Sequence, residues 1–163
     1  MKTLTLLRHA KAVTPGGVED HQRALAPRGH VDAAAVGRAT RAPELVLCST
    51  ALRTRQTLDD VAAGWSARPG VRYEPSLYLA TAATLLRRVE AFDEAVSSIW
   101  LIGHNPGLHD LALQLAGPGG VTEFPMLGDR FPTACRAVFQ AEAESWPEFI
   151  RGPLLVELAL AAA

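Results

Sequence analysis

Residues 99–108 read Ile99-Trp100-Leu101-Ile102-Gly103-His104-Asn105-Pro106-Gly107-Leu108. The first four form a short apolar run, the signature of a strand buried on both faces. Gly103 ends the run and allows close backbone approach. Pro106 suits the first turn of a helix, where an N–H has no partner in any case. The spacing then predicts a helix over Leu108 to Leu115, closed by Gly117 and Pro118. The unit is strand, polar turn, helix.

The same unit recurs toward the N-terminus. Leu4 to Leu7 is a short apolar run bounded by charge, followed by a polar loop with Pro15, Gly16 and Gly17. From Gly29 the chain is alanine-rich, with Val31, Ala34, Ala35 and Ala39 at helical spacing, and the pattern stops near Pro43. Leu45 to Cys48 is a second strand, Ser49-Thr50 is an N-cap candidate, and the helix after it runs to about Ala63. Val71 to Glu74 reads as a third strand, and Ala80 to Phe92 as an amphipathic helix. Toward the C-terminus, Ala134 to Gln140 and Leu154 to Leu160 alternate as two further strands. Gly117 to Gly120 and Leu127 to Asp129 are surface-loop candidates, and the terminal alanines are expected to fray.

Strands alternating with helices predict a three-layer α/β/α sandwich with a mostly parallel central sheet. At 163 residues, one domain over 1–163 is expected. Ligands in such folds bind beyond the carboxyl ends of the strands. Polar residues follow three of these ends directly: Arg8-His9, Ser49 with Arg53, and His104-Asn105.

Composition narrows the function classes. The chain is 48% hydrophobic and 20% charged, with a formal net charge of −1, so no overall field draws it to nucleic acid or to an anionic membrane. Trp65, Trp100 and Trp146 lack the interleaved basic residues of a base-stacking platform. No stretch approaches the roughly 20 apolar residues of a membrane span. Arg8, His9 and Lys11 break the N-terminal apolar run before it reaches signal-peptide length. Cys48 and Cys135 form no CxxC pair, which fits a reducing cytoplasm.

The chemistry needed for phosphoryl transfer is present at those strand ends. A guanidinium such as that of Arg8 matches phosphoryl oxygens bidentately, and a neutral imidazole such as that of His9 can attack phosphorus. Arg53, in the first turns of its helix, adds a second guanidinium near free backbone N–H groups, unless it is a solvated helix-face arginine, as Arg55 is expected to be. His104 can donate to a phosphoryl oxygen, or serve as a satisfied structural histidine. His9 and His104 as metal ligands would face repulsion from two arginines, so no metal and no cofactor are expected.

The segments Leu6-Leu7-Arg8-His9-Ala10-Lys11, Ser49 to Thr57, and Gly103-His104-Asn105-Pro106-Gly107 resemble the histidine phosphatase superfamily, also called the phosphoglycerate mutase-like fold. The segment Asp20-x-x-Arg23-x-Leu25, the Leu77-Tyr78 pair, and Phe131-Pro132-Thr133-Ala134 are further similar to its SixA-like branch of phosphohistidine phosphatases. The resemblance runs in order from about Thr3 to Thr133. It implies that His9 is the nucleophile, that Arg8 and Arg53 bind phosphate, and that His104 completes the pocket; Asn105, beside His104 at the strand end, is a further candidate substrate contact. It also implies a metal-independent phosphatase that passes through a phosphohistidine intermediate.

Ester-cleaving members of that family carry a carboxylate after the third strand. Glu74 is the nearest counterpart, either a catalytic acid or a strand-end carboxylate. Asp20 and Arg23 orient the loop over His9, touch substrate, or form a structural ion pair. His21, His30 and His109 match no catalytic position. A phosphohistidine leaves as an imidazole that carries its own proton, so a missing acid points to protein phosphohistidine in a signalling partner. The alternatives are a small-molecule phosphomonoesterase and a low-turnover phosphate-binding regulatory module.

Overall fold

The computed structural model describes residues 1–161. The expectation about the terminal alanines falls in part on Ala162 and Ala163, which lie outside the described residues. In chain order the elements are β1 (Lys2–Arg8), α1 (Pro27–Ala39), β2 (Leu45–Ser49), α2 (Leu52–Ala62), β3 (Gly70–Glu74), α3 (Ala82–Glu90), β4 (Ser98–Gly103), α4 (Gly107–Glu123), α5 (Pro125–Asp129), β5 (Arg136–Ala141), α6 (Trp146–Phe149) and β6 (Leu154–Ala159). Short 3-10 turns cover Asp20–Gln22 and Pro75–Leu77.

The six strands form one sheet in the order β3-β2-β4-β1-β5-β6. β3, β2, β4 and β1 pair in parallel, while β5 and β6 join antiparallel. The architecture is therefore the mostly parallel α/β fold that the strand and helix pattern predicts.

Alternation along the strands explains why they read as unbroken apolar runs. Leu4, Leu6, Leu47, Ile99 and Leu101 enter one core with residues of α3, α4 and α6. Leu7, Val46, Cys48, Trp100 and Ile102 enter the other, against Ala33, Val36, Leu58 and Val61 of α1 and α2. Successive side chains point to opposite faces, and both faces are dry. The three tryptophans are core residues: Trp65 and Trp100 meet edge to face at 5.1 Å, and Trp146 is fully buried. Among the described residues, no helix is long and apolar enough to cross a membrane.

Three local expectations need correction. The N-cap of α2 is Ala51, with no side-chain cap, because Ser49 is the last residue of β2 and its hydroxyl is turned to His104. Thr54 takes over the local bonding, its hydroxyl 2.8 Å from the carbonyls of both Ser49 and Ala51. The helix break expected at Gly117 is present, its φ of 62° and ψ of −177° lying outside the helical region, but the surface loop expected over Gly117 to Gly120 is helix again from Pro118, and the two pieces together make α4 to Glu123. A positive φ is cheap only for glycine, so the residue acts as a hinge between two helical pieces. The expected loop at Leu127 to Asp129 is the helix α5, with Leu127 fully buried.

Candidate active site

The parallel pairing of β1 with β4 sets Arg8 in register with Gly103, so Arg8-His9 and His104 leave the sheet side by side. The His9 N–H donates to the Gly103 carbonyl at 3.1 Å, and the two imidazole rings lie 5.3 Å apart. Pairing of β2 with β4 brings in Ser49, whose Oγ is 2.8 Å from His104 Nε2. Gly107 lets α4 start here, since a Cβ at that position would sit 1.9 Å from the Ala80 carbonyl oxygen. Arg53, in the first turn of α2, is 2% exposed, against 7% for His9 and 3% for His104.

His9 Nδ1 lies 2.7 Å from the Ala10 carbonyl oxygen. A carbonyl only accepts, so Nδ1 carries the proton and Nε2 keeps its lone pair. Ala10 is itself pinned, its N–H donating to Thr57 Oγ1 at 3.0 Å. Burial pushes His9 down to about 4, with Arg53, Arg8 and Arg23 acting in the same direction. His104 is held at about 3, first by burial and then by His9 and Arg53. Both rings are neutral at pH 7. Nε of Arg8, Nε of Arg53 and Nδ1 of His104 are buried without a protein partner. Buried donors without partners are costly, and three of them around one nucleophilic ring form an anion-binding arrangement.

Arg53 is oriented from outside by Asp20. Its NH1 donates to the Asp20 carbonyl at 2.7 Å and its NH2 to Oδ2 at 3.0 Å. The same carboxylate accepts from Arg23 Nε at 3.0 Å and from the Tyr78 hydroxyl. Tyr78 foremost, then Arg53 and Arg23, hold Asp20 well below the usual carboxylate range. Tyr78 packs edge to face on His104 at 5.4 Å and on His21 at 4.8 Å. His21, which matches no catalytic position in the sequence, is thus on the rim, with Nε2 2.9 Å from Thr50 Oγ1. His30 pairs with Asp60, and His109 donates to the Leu127 carbonyl at 2.6 Å, each away from the pocket.

Sequence reasoning named Arg8, His9, Arg53 and His104, and the fold brings all four together. It gave no role to Ser49 beyond an N-cap, or to Tyr78 beyond a motif match. A hydroxyl at the end of a buried strand and a tyrosine just after a 3-10 turn were the available signals.

The other two site candidates, Glu74 and Asn105, each bond to a neighbouring residue. Glu74 ends β3 opposite Ser49, yet its two carboxylate oxygens are taken by Arg88 of α3, from Nε at 2.8 Å and NH2 at 2.7 Å. Among the described residues it bonds to none of the pocket side chains, because this fork turns it toward α3. Asn105 donates from Nδ2 to the Phe131 carbonyl at 2.8 Å, the same oxygen that Arg8 NH1 reaches at 3.3 Å. Its amide therefore steadies the segment behind Arg8. Among the described residues, no group of three or more His, Cys, Asp and Glu side chains is arranged to hold a metal ion.

No family model matches the chain. The uncharacterized protein Rv1276c of Mycobacterium tuberculosis is 35% identical over 148 residues, covering 87% of this chain and 90% of that protein. Among solved structures, SixA of Nakamurella multipartitia, assigned as a phosphohistidine phosphatase, superposes with a TM-score of 0.84 at 28% identity, over 99% of this chain and 97% of its own. SixA of Agrobacterium tumefaciens, assigned likewise, gives 0.83 at 28% identity over 97% of each chain.

Proposed function

This chain belongs to the histidine phosphatase superfamily, in its SixA-like branch, and from that premise we propose that it is a phosphatase that hydrolyses protein phosphohistidine through a covalent intermediate on His9. The observation that carries the reading is the pairing of a free Nε2 lone pair on His9 with three unpartnered buried nitrogens around it. His9 Nε2 attacks phosphorus in line, the bond to the leaving group breaks, and the phosphoryl group rests on His9. Water then attacks the same phosphorus and releases phosphate.

Arg8 Nε, Arg53 Nε and His104 Nδ1 meet the three equatorial oxygens, where charge is spread in the transition state. For His104 this requires its Nε2 to accept the Ser49 hydroxyl, leaving the proton on Nδ1. The fixed guanidinium groups supply the charge that a metal supplies elsewhere, so turnover needs no metal. Glu74 is bound up with Arg88, and a phosphohistidine leaving group needs no acid, which together favour that substrate over an alkyl phosphate. Two free, buried thiols, Cys48 and Cys135, fit a reducing cytoplasm.

The test is incubation with phosphoramidate. The protein should acquire one acid-labile, base-stable label, and His9→Ala should acquire none. A label that persists in that variant removes His9 as the nucleophile.

A further inference from the structure

The mechanism above leaves the Asp20 carboxylate without a chemical task, although it touches a phosphate-binding guanidinium. We propose that Asp20 is the leaving-group contact of this pocket, accepting the ring N–H of a protonated N-phosphoryl imidazole and so selecting nitrogen over oxygen leaving groups. The inference rests on the phosphohistidine reading and deepens it.

In-line attack puts the leaving group on the side of phosphorus opposite His9. His9 is buried at the pocket floor, so the leaving group points to the open side. Asp20 is the carboxylate bonded to the pocket guanidinium of Arg53. Its side chain is 46% exposed while its Arg53 partner is 3% exposed, which makes the pair a bridge from rim to floor. Arg53 commits NH1 and NH2 to Asp20 and leaves Nε unpartnered, so a phosphoryl group on Nε sits against the carboxylate-bearing fork.

The carboxylate is fixed and has room for one more donor. Oδ1 accepts from Arg23, and Oδ2 accepts from Arg53 and Tyr78. Two carboxylate oxygens offer about four acceptor positions. Held as an anion by those donors, Asp20 cannot hand a proton to a departing alkoxide. It can accept from a cation. The walls beside it are the rings of Tyr78 and His21, which offer a planar ring edge-to-face neighbours.

The step balances without a further reactant. The substrate ring carries phosphorus on one nitrogen and a proton on the other. As the bond to His9 Nε2 forms, the P–N bond breaks and its electron pair goes to the ring nitrogen. Neutral imidazole leaves with the distal N–H intact. Asp20 stabilises the positive charge that the ring holds up to and during cleavage, and it repels a leaving group that becomes an oxyanion.

The test compares kcat/KM for phosphoimidazole and for p-nitrophenyl phosphate in wild type, Asp20→Asn and Asp20→Ala, with tungstate inhibition as the readout of the phosphate site. The selectivity ratio should fall about tenfold or more in both variants, the scale of a hydrogen bond to a charged group. Equal losses on both substrates, with tungstate inhibition weakened in step, would overturn the proposal and make Asp20 only a positioning residue for Arg53. A wild type that cleaves p-nitrophenyl phosphate but leaves phosphoimidazole intact would instead overturn the phosphohistidine reading on which this one rests.

Discussion

Arg53 with Asp20 and Arg88 with Glu74 are arginine–carboxylate pairs near the same edge of the sheet, and they are built to different ends. At the tip of β3, Arg88 and Glu74 meet fork to fork, Nε and NH2 on the two oxygens, and no nitrogen of Arg88 is left buried without a partner. At the start of α2, Arg53 gives both terminal nitrogens to Asp20 and keeps a buried Nε without a partner. A closed fork satisfies itself and holds α3 to the sheet. An open one is fixed in place yet retains a donor for a ligand. The contrast teaches that an ion pair marks a binding site only when its hydrogen-bonding capacity is unfilled.

The largest test of that contrast is to exchange arginine for lysine at both places. Arg53→Lys keeps the charge and loses the fork and the Nε donor, so kcat/KM should drop by about a hundredfold or more, the cost of one preorganised donor. Arg88→Lys should leave kcat/KM within about twofold. A comparable loss at Arg88 would erase the distinction.

The pocket end also differs in how it responds to acid. His9 and His104 are held at about 4 and about 3, below the ordinary 6.5. Between those values and 6.5 the unfolded chain binds more protons than the native one. Their contribution to stability is thus complete above pH 6.5 and is lost as pH falls through about 4 and about 3. The rate of His9 phosphorylation, corrected for titration of the donor, should hold from pH 8 to about 5 and decline only near pH 4. An acid limb centred on 6.5 would mean that the ring is not buried as described.

The smallest effect belongs to the closed fork. Arg88→Ala leaves Glu74 alone at a half-buried position, and urea unfolding should show a loss of about 1 kcal/mol, the range of partly exposed ion pairs. A loss several times larger would show that the fork contributes far more to the fold than its exposure suggests.

The two forks also separate the site residues that are legible in the sequence from those that are not. Arg8, His9, Arg53 and His104 were legible because each follows a short apolar run directly, and strand ends in a parallel sheet converge. Glu74 also stands at a strand end, yet it is bound to Arg88. Its neighbour in sequence said nothing of Arg88, which arrives from α3 fourteen residues on. The helical piece that resumes after the break at Gly117 is not legible in the sequence for a related reason. Glycine followed by proline punctuates a helix locally, and only packing in the fold decides whether helix resumes.

By itself the sequence determined the alternation of buried strands and amphipathic helices, and with it the α/β class, since period and apolar run length are local properties of the chain. It determined which chemistry-bearing residues stand at strand ends for the same reason. Only the tertiary structure decided which of those residues keep unpaired donors. That depends on partners brought in from distant segments, Asp20 onto Arg53, Ser49 onto His104 and Arg88 onto Glu74, and hydrogen-bond saturation is a property of the assembled neighbourhood.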